Sequence, residues 1–497
     1  MNERLAISSS IKSLRHPNPQ KYFSLTDMII LISLLFVSFF IHTFHIAFPP
    51  SRVFDEVHFG SFTNYYLTRT YFHDIHPPLG KLILAFTAYL SGYKADIDFQ
   101  NKNNSFVNTY YFTLRQVPSS FSSLVGPVGF ASMKFFGFST LASSVVGLYL
   151  ATETMMIVEG RLILTDAFLH AFATLTILSV SILASHQKST MAVIFVSLMA
   201  GCTFSVKYTG MSVLVFIGAH QFIYYSKSRL MHLFKLKLEL FNGWKSLIRI
   251  ILNIPFLKII SQMIIIVVIG ISFMLFLFSY HISVLRYHSK YDAFLPYKYR
   301  NSLIYPTETD FSRLTTPYEL LARVLSLIKE MHQSNMRINS NHSAASKWYD
   351  WPLARSRSLV YHSRIYTLLL FPTPLIWYPA AISPIICIIL AVFGYFFSNY
   401  KLTKLIIWPA GYYSSWIPFM FIHRAIFIYH YLVPLIFGIF SFGALLDVIF
   451  SRYRKFRACV FTLLIVGVIV QYIFFMPLCS ALKGYQWNIR KWYKKMY

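Results

Sequence analysis

The stretch Asp27-Met28-Ile29-Ile30-Leu31-Ile32-Ser33-Leu34-Leu35-Phe36-Val37-Ser38-Phe39-Phe40-Ile41-His42-Thr43-Phe44-His45-Ile46-Ala47-Phe48 decides the fold class. Past its leading acid it holds no Lys, Arg, Asp or Glu, and a run of about 20 apolar residues crosses the hydrocarbon of a bilayer as a helix. It is too long, and followed by too few small residues, for a cleaved signal peptide, so it is expected to stay as a signal anchor. Comparable runs recur at 118–137, 140–157, 165–184, 189–206, 208–225, 259–281, 375–397, 404–421, 426–447 and 457–478. The expectation is an all-α polytopic membrane protein of about eleven transmembrane helices, with no internal repeat of the kind that builds many transporters.

Composition agrees with that reading. The 497 residues are 56% hydrophobic and only 13% charged, with mean hydropathy +0.52, whereas soluble chains carry about a quarter charged residues. A soluble enzyme, a disordered chain and a disulfide scaffold are excluded. Lys and Arg number 45 against 18 Asp and Glu, a net +27. A nucleic-acid partner would need a solvated basic face that this composition does not supply; cations of a polytopic protein instead mark cytoplasmic loops. Cys202, Cys387, Cys459 and Cys479 all lie in apolar runs and read as packing residues rather than disulfide or zinc ligands.

Orientation follows from the cations. The tail over 1–26 carries Arg4, Lys12, Arg15 and Lys21; the 226–258 connection carries Lys227, Arg229, Lys235, Lys237, Lys245, Arg249 and Lys258; and 448–456 carries Arg452, Arg454 and Lys455. With eleven spans over 27–480 and a cytoplasmic N-terminus, all three face the cytoplasm. The basic tail over 481–497, ending Lys494-Lys495-Met496-Tyr497, falls outside by this count, so its dilysine ending reads as a coincidence. Two long loops, 49–117 and 282–374, share the non-cytoplasmic side, each with a glycosylation sequon, Asn103-Asn104-Ser105 and Asn341-His342-Ser343.

The first of these loops holds Phe54-Asp55-Glu56-Val57-His58-Phe59-Gly60 and then Phe72-His73-Asp74-Ile75-His76-Pro77-Pro78-Leu79-Gly80-Lys81-Leu82. Three of the chain's rare acids thus stand near the membrane surface, and adjacent carboxylates raise one another's proton affinity, as a general base requires. Pro77-Pro78 opens a helix running toward Tyr93 that is expected to lie along the membrane. No metal site is expected, the histidines being read as lacking a carboxylate partner at i, i+3 or i+4 on one helix.

Residues 53–82 resemble the signature of the protein O-mannosyltransferases, in which an Asp-Glu pair in a Phe-Asp-Glu-Val-His-Phe context is followed by His-Pro-Pro-Leu-Gly-Lys-Leu. Further resemblances follow in order: Arg161-Leu162-Ile163-Leu164-Thr165-Asp166, Ser205-Val206-Lys207-Tyr208-Thr209-Gly210, Ser346-Lys347-Trp348-Tyr349-Asp350-Trp351-Pro352, and His423-Arg424 with Tyr429-His430-Tyr431-Leu432-Val433-Pro434. The resemblance implies the C-type glycosyltransferase architecture and transfer of mannose, with inversion, from dolichyl phosphate mannose to Ser or Thr of secretory polypeptides. It places the chain in the endoplasmic reticulum membrane with a luminal site (the plasma membrane if the source is bacterial), as a homo- or heterodimer. It implies no resident cofactor and leaves a divalent metal open.

By position match, Asp55 is the candidate base and Glu56 orients it or the acceptor. Arg115, in Leu114-Arg115-Gln116-Val117-Pro118, is assigned to the pocket around the acidic pair or to the donor phosphate. Lys207 and Arg424 are candidate phosphate contacts, Trp351 and Trp348 a candidate aromatic lid. His58, Asp74, His76, Lys81, Arg161, Asp166 and His423 complete the candidate donor- and acceptor-binding set, while His342 and His430 read as hydrogen-bond partners. Two departures stand out. Too few residues separate Tyr291 from Ser346 for the MIR repeats that eukaryotic members carry there, and His42 takes the place of an arginine of the first helix, putting a donor contact there in doubt. The alternatives are another polyprenyl-phosphate-sugar transferase of the same fold, or a non-catalytic or transport partner.

Overall fold

The computed structural model describes residues 23–101, 105–106, 108–186, 189–236, 256–305, 316–338, 342–356, 358–362, 366–397, 399–451, 453–483 and 487–492. The cations of the N-terminal tail, those of 237–255, Arg452, the 494–497 ending and the sequon residues Asn103, Asn104 and Asn341 lie outside them.

Helix α1, Leu25–Thr43, begins where Ser24 caps it: the Ser24 hydroxyl accepts from Asp27 N–H and the Asp27 carboxylate accepts from Ser24 N–H. It ends five residues before the apolar run does, because His45 turns into the left-handed region at φ 59° and Pro49 follows. The loop beyond is built of two short helices, α2 (Glu56–Leu67) and α3 (Leu79–Leu90). The bundle continues through α4 (Tyr110–Phe135), α5 (Thr140–Ala151), α6 (Thr154–Gly160), α7 (Asp166–Ser185), α8 (Thr190–Val206), α9 (Val213–Leu236) and α10 (Phe256–Val284).

Three later runs start or break elsewhere than their apolarity suggested. The run over 140–157 splits at Thr152-Glu153, where α5 and α6 meet at a 51° bend. The run from 208 becomes helix only at Val213, after the extended Lys207 and one 3-10 turn. The run from 404 holds a short helix, α13, of Ile407–Trp416.

The second loop, expected as plain connection, contains the amphipathic α11 (Pro317–Arg337) and an antiparallel hairpin of β1 (Leu359–His362) and β2 (Thr367–Leu370), registered Leu359 to Leu370. Three long helices complete the chain: α12 (Pro374–Phe396), α14 (Leu432–Ile449) and α15 (Arg454–Cys479).

Among the described residues six helices are long and apolar enough to cross a membrane, seven if the bent pair α5–α6 counts as one span. Helices α7 and α14 are buried on most sides, while α1, α10 and α15 turn Phe36, Phe40, Ile264, Val268, Val470 and Ile473 outward. Such faces suit hydrocarbon, where no water competes. Helices approach most closely at small residues: a Cβ on Gly126 of α4 would stand 2.8 Å from the Gly147 carbonyl of α5, and one on Gly201 of α8 would stand 3.0 Å from Gly270 of α10. Cys202, Cys387 and Cys479 are buried packing residues as expected, whereas Cys459 is exposed on the outer face of α15.

Candidate active site

The turn that starts α2 is held from far along the chain. Glu56 is fully buried, and each of its oxygens takes two hydrogen bonds: Oε1 from Arg115 Nε (2.7 Å) and Ile163 N–H (3.0 Å), Oε2 from Arg115 Nη2 (2.7 Å) and Val53 N–H (2.8 Å). The rest of the Arg115 guanidinium donates to the carbonyls of Ile46, Pro49 and Ser51. All five of its N–H groups are committed, as a rigid planar fork allows. Phe54 sits in this turn at φ 52°, a left-handed conformation that costs a non-glycine residue about 1–3 kcal/mol and persists only where surroundings over-determine it. Its ring lies edge-on to Phe427 and Tyr429.

The constraint leaves Asp55 as the N-cap residue of α2, with no hydrogen bond to its carboxylate among the described residues. Burial raises its proton affinity, and the like charges of Asp166 and Asp74 push the same way against His58 and Lys207. Asp74 and Asp166 nearby are each paired. Asp74 bonds to Lys81, whose ammonium also donates to the His76 carbonyl (2.7 Å) and faces the rings of Phe62 and Phe72. Burial opposes ionisation of Asp74, but Lys81 and His76 outweigh it and bring its pKa down to about 2. Burial also drives His76 down to about 3, so it is neutral. Asp166 receives the Lys207 ammonium on both oxygens, at 2.6 and 2.8 Å.

Several expected site residues are placed differently. Lys207, taken as a phosphate contact, is bound to Asp166, because a buried ammonium needs a buried counter-charge. Arg161 is fully buried and donates to the carbonyls of Cys479, Phe44 and His45, joining the ends of α15 and α1. It satisfies helix-end carbonyls rather than reaching toward a ligand. Trp351 is no lid: it is fully buried, its indole N–H donates to Ser346 Oγ (2.8 Å), and its carbonyl accepts from Trp377 (2.6 Å). Trp348 packs half-buried on Trp416. His42 is enclosed, with its ring Nε2 3.3 Å from the Ala151 carbonyl.

His58 and His423 are exposed. Arg424 is half-buried, its Nε has no hydrogen-bond partner, and burial lowers its pKa from the usual arginine value. His430 lies in the aromatic stack of Tyr429 and Trp351, and His342 packs edge-on to Phe427.

A narrow cleft between α7, α13 and α14 is lined by Asp166, His170, Lys207, Tyr429 and His430. Beneath it, Glu159, Asp166 and His170 bring their ligand-type atoms within 4.8 Å of one another. Sequence reasoning missed Glu159 and His170. The signal was present: Asp166 and His170 stand i, i+4 on α7, contrary to the expectation that no such pair exists.

Residues 32–288 match the family described as dolichyl-phosphate-mannose-protein mannosyltransferase, and residues 320–496 match the C-terminal four-transmembrane region of protein-O-mannosyltransferase. The chain belongs to the dolichyl-phosphate-mannose-protein mannosyltransferase family. Among curated members, mannosyltransferase 6 of Saccharomyces cerevisiae is 31% identical over 245 residues, 47% of this chain and 31% of that protein. Mannosyltransferase 4 of Schizosaccharomyces pombe is 39% identical over 165 residues, 33% of this chain and 20% of that protein. The matched stretches thus span less than a third of either relative.

The solved S. cerevisiae protein O-mannosyltransferase Pmt1-Pmt2 complex bound to the sugar donor superposes with TM-score 0.76 at 17% identity, over 95% of this chain and 92% of that chain. The fold is shared, so the C-type glycosyltransferase architecture expected from the sequence stands.

Proposed function

We infer that the chain transfers mannose from dolichyl phosphate mannose to Ser and Thr hydroxyls of secretory-pathway polypeptides, at the luminal face of the endoplasmic reticulum membrane. One observation carries this reading: of the carboxylates Asp55, Glu56, Asp74 and Asp166, only Asp55 has no ion-pair or hydrogen-bond partner for its side chain among the described residues. A base must have a free lone pair and an affinity for the proton it removes, and Asp55 has both.

In the proposed step the acceptor hydroxyl gives its proton to Asp55 as its oxygen attacks the anomeric carbon. The bond from that carbon to the phosphate oxygen breaks, and dolichyl phosphate leaves with the electron pair. A single displacement inverts the anomeric centre, and one uncommitted carboxylate is all it needs. Arg424 supports the departing phosphate, guanidinium geometry suiting that charge. Glu56 and Arg115 position the turn and touch no substrate. His58, His76, Lys81 and His423 line the approach to Asp55 in this reading.

Eleven spans with both long loops luminal are kept in this reading; six helices among the described residues, seven with the bent pair α5–α6, are long and apolar enough to cross a membrane. The solved relative's two-chain assembly suggests pairing with a related transferase. The test is a liposome assay with the full chain, radiolabelled dolichyl phosphate mannose and a Ser/Thr-rich peptide. Labelled peptide is the expected result. Label passing to the peptide only from a different polyprenyl-phosphate sugar would assign another donor, and none from any donor would remove the activity.

A further inference from the structure

We propose that Glu159, Asp166 and His170 bind one divalent cation of the zinc class in the bundle core, behind the Lys207–Asp166 ion pair. Glu159 is fully buried, and neither of its oxygens has a hydrogen-bond partner. His170, 1% exposed, leaves Nδ1 unpartnered, while its Nε2 lies 4.0 Å from Glu159 Oε2. A buried carboxylate with no partner is untenable as an anion unless a counter-charge reaches it. Lys207 does not serve, because its ammonium is bonded to both oxygens of Asp166. With Glu159 and Asp166 both ionised, two carboxylates against one ammonium leave the pocket one negative charge in excess, which a divalent cation more than offsets.

The donor set sharpens the choice of ion. One imidazole nitrogen and two carboxylates suit zinc, whereas calcium and magnesium prefer six or more oxygens with retained water. Zinc bonds of about 2.0–2.2 Å place tetrahedral ligands about 3.4 Å apart, so side-chain rotations of roughly 1 Å close the present group. The cleft lined by Lys207, Tyr429 and His430 adjoins two of the ligands and offers the way in. Asp166 then bridges the cation and Lys207, tying the end of α6 to the first turns of α7. The ion holds that pair facing Asp55 and takes no part in bond making.

This site rests on its own geometry and stands or falls apart from the mannosyl-transfer reading. The full chain in detergent is stripped with chelator, equilibrated with zinc and freed of excess. Elemental analysis then gives about one zinc per chain, with a higher Tm than the stripped protein. Glu159→Gln and His170→Gln each weaken zinc binding by at least about tenfold, the loss expected on removing a ligand. X-ray absorption on the wild-type protein shows nitrogen and oxygen neighbours only, a result that does not depend on the variants folding. A wild-type chain that retains no zinc, sulfur in the zinc shell, or variants that hold zinc as tightly as the parent would each overturn the proposal.

Discussion

The two ends of the helix bundle treat their acids in opposite ways. At the α1 start, Asp27 accepts from Ser24 and from Thr140 Oγ1 (2.6 Å) and lies 3.1 Å from the Lys134 ammonium, while Asp447 accepts from Ser139 Oγ. Both of these carboxylates are spent on holding helix ends together. At the opposite end Glu56, Asp74 and Asp166 are spent likewise, yet Asp55, next to the most heavily bonded of them, is left bare. A fold gains nothing in stability from an unpaired, half-buried carboxylate that resists ionisation, and places where stability is forgone are where chemistry is found.

The sharpest break of this comparison is Asp55→Asn. It is expected to lower transfer by about 10²–10⁴-fold, the range for loss of a general base, with Tm unchanged. In the wild type, transfer should decline as pH falls through a value above the usual carboxylate pKa of about 3.9, because the base must be ionised and its proton affinity is raised. Asp74, at about 2, stays ionised throughout and adds no second limb. An acid limb unchanged from the ordinary carboxylate range would detach the rate from Asp55.

Glu56→Ala comes next. It strands Arg115 as a buried, unpaired cation, and breaking such a pair costs about 3–5 kcal/mol. Thermal unfolding in detergent should show a large loss and low yield, in contrast to Asp55→Asn. Equal Tm values for the two variants would erase the distinction between them. The smallest effect is expected at the other end. Asp27→Asn weakens charge-assisted bonds at α1 by about 1–2 kcal/mol while turnover per folded molecule stays at the wild-type level, measured as activity normalised to the monodisperse fraction.

Much of this organisation was legible in the chain. Apolar runs of spanning length located the helices, since a lipid-facing helix must be apolar over its whole length, and the rare acids after α1 drew attention to the first loop. Helix ends were less legible. The break falls at Thr152-Glu153-Thr154, a short polar interruption in a long apolar run, and Glu153 caps α6 through the Met156 N–H with no Gly or Pro there to announce a turn. The hairpin over 359–370 and the helix from Pro317 were hidden because amphipathic and mixed patterns in a long loop read as connection. His170 was missed although its spacing from Asp166 was in plain view; Glu159 had no local partner to pair with.

What the sequence determined by itself was the class of protein, the loop in which its rare acids cluster and the family-like order of motifs, because these depend on composition and on residues close along the chain. Which carboxylate is free depended on tertiary structure alone. Asp55 and Glu56 are neighbours of nearly equal intrinsic acidity, and what separates them is a guanidinium 59 residues away that saturates one and misses the other. The same holds for Lys207, whose counter-charge is an aspartate 41 residues earlier. Charge pairing in a low-dielectric interior is decided by proximity in space, and only the packed helices set that proximity.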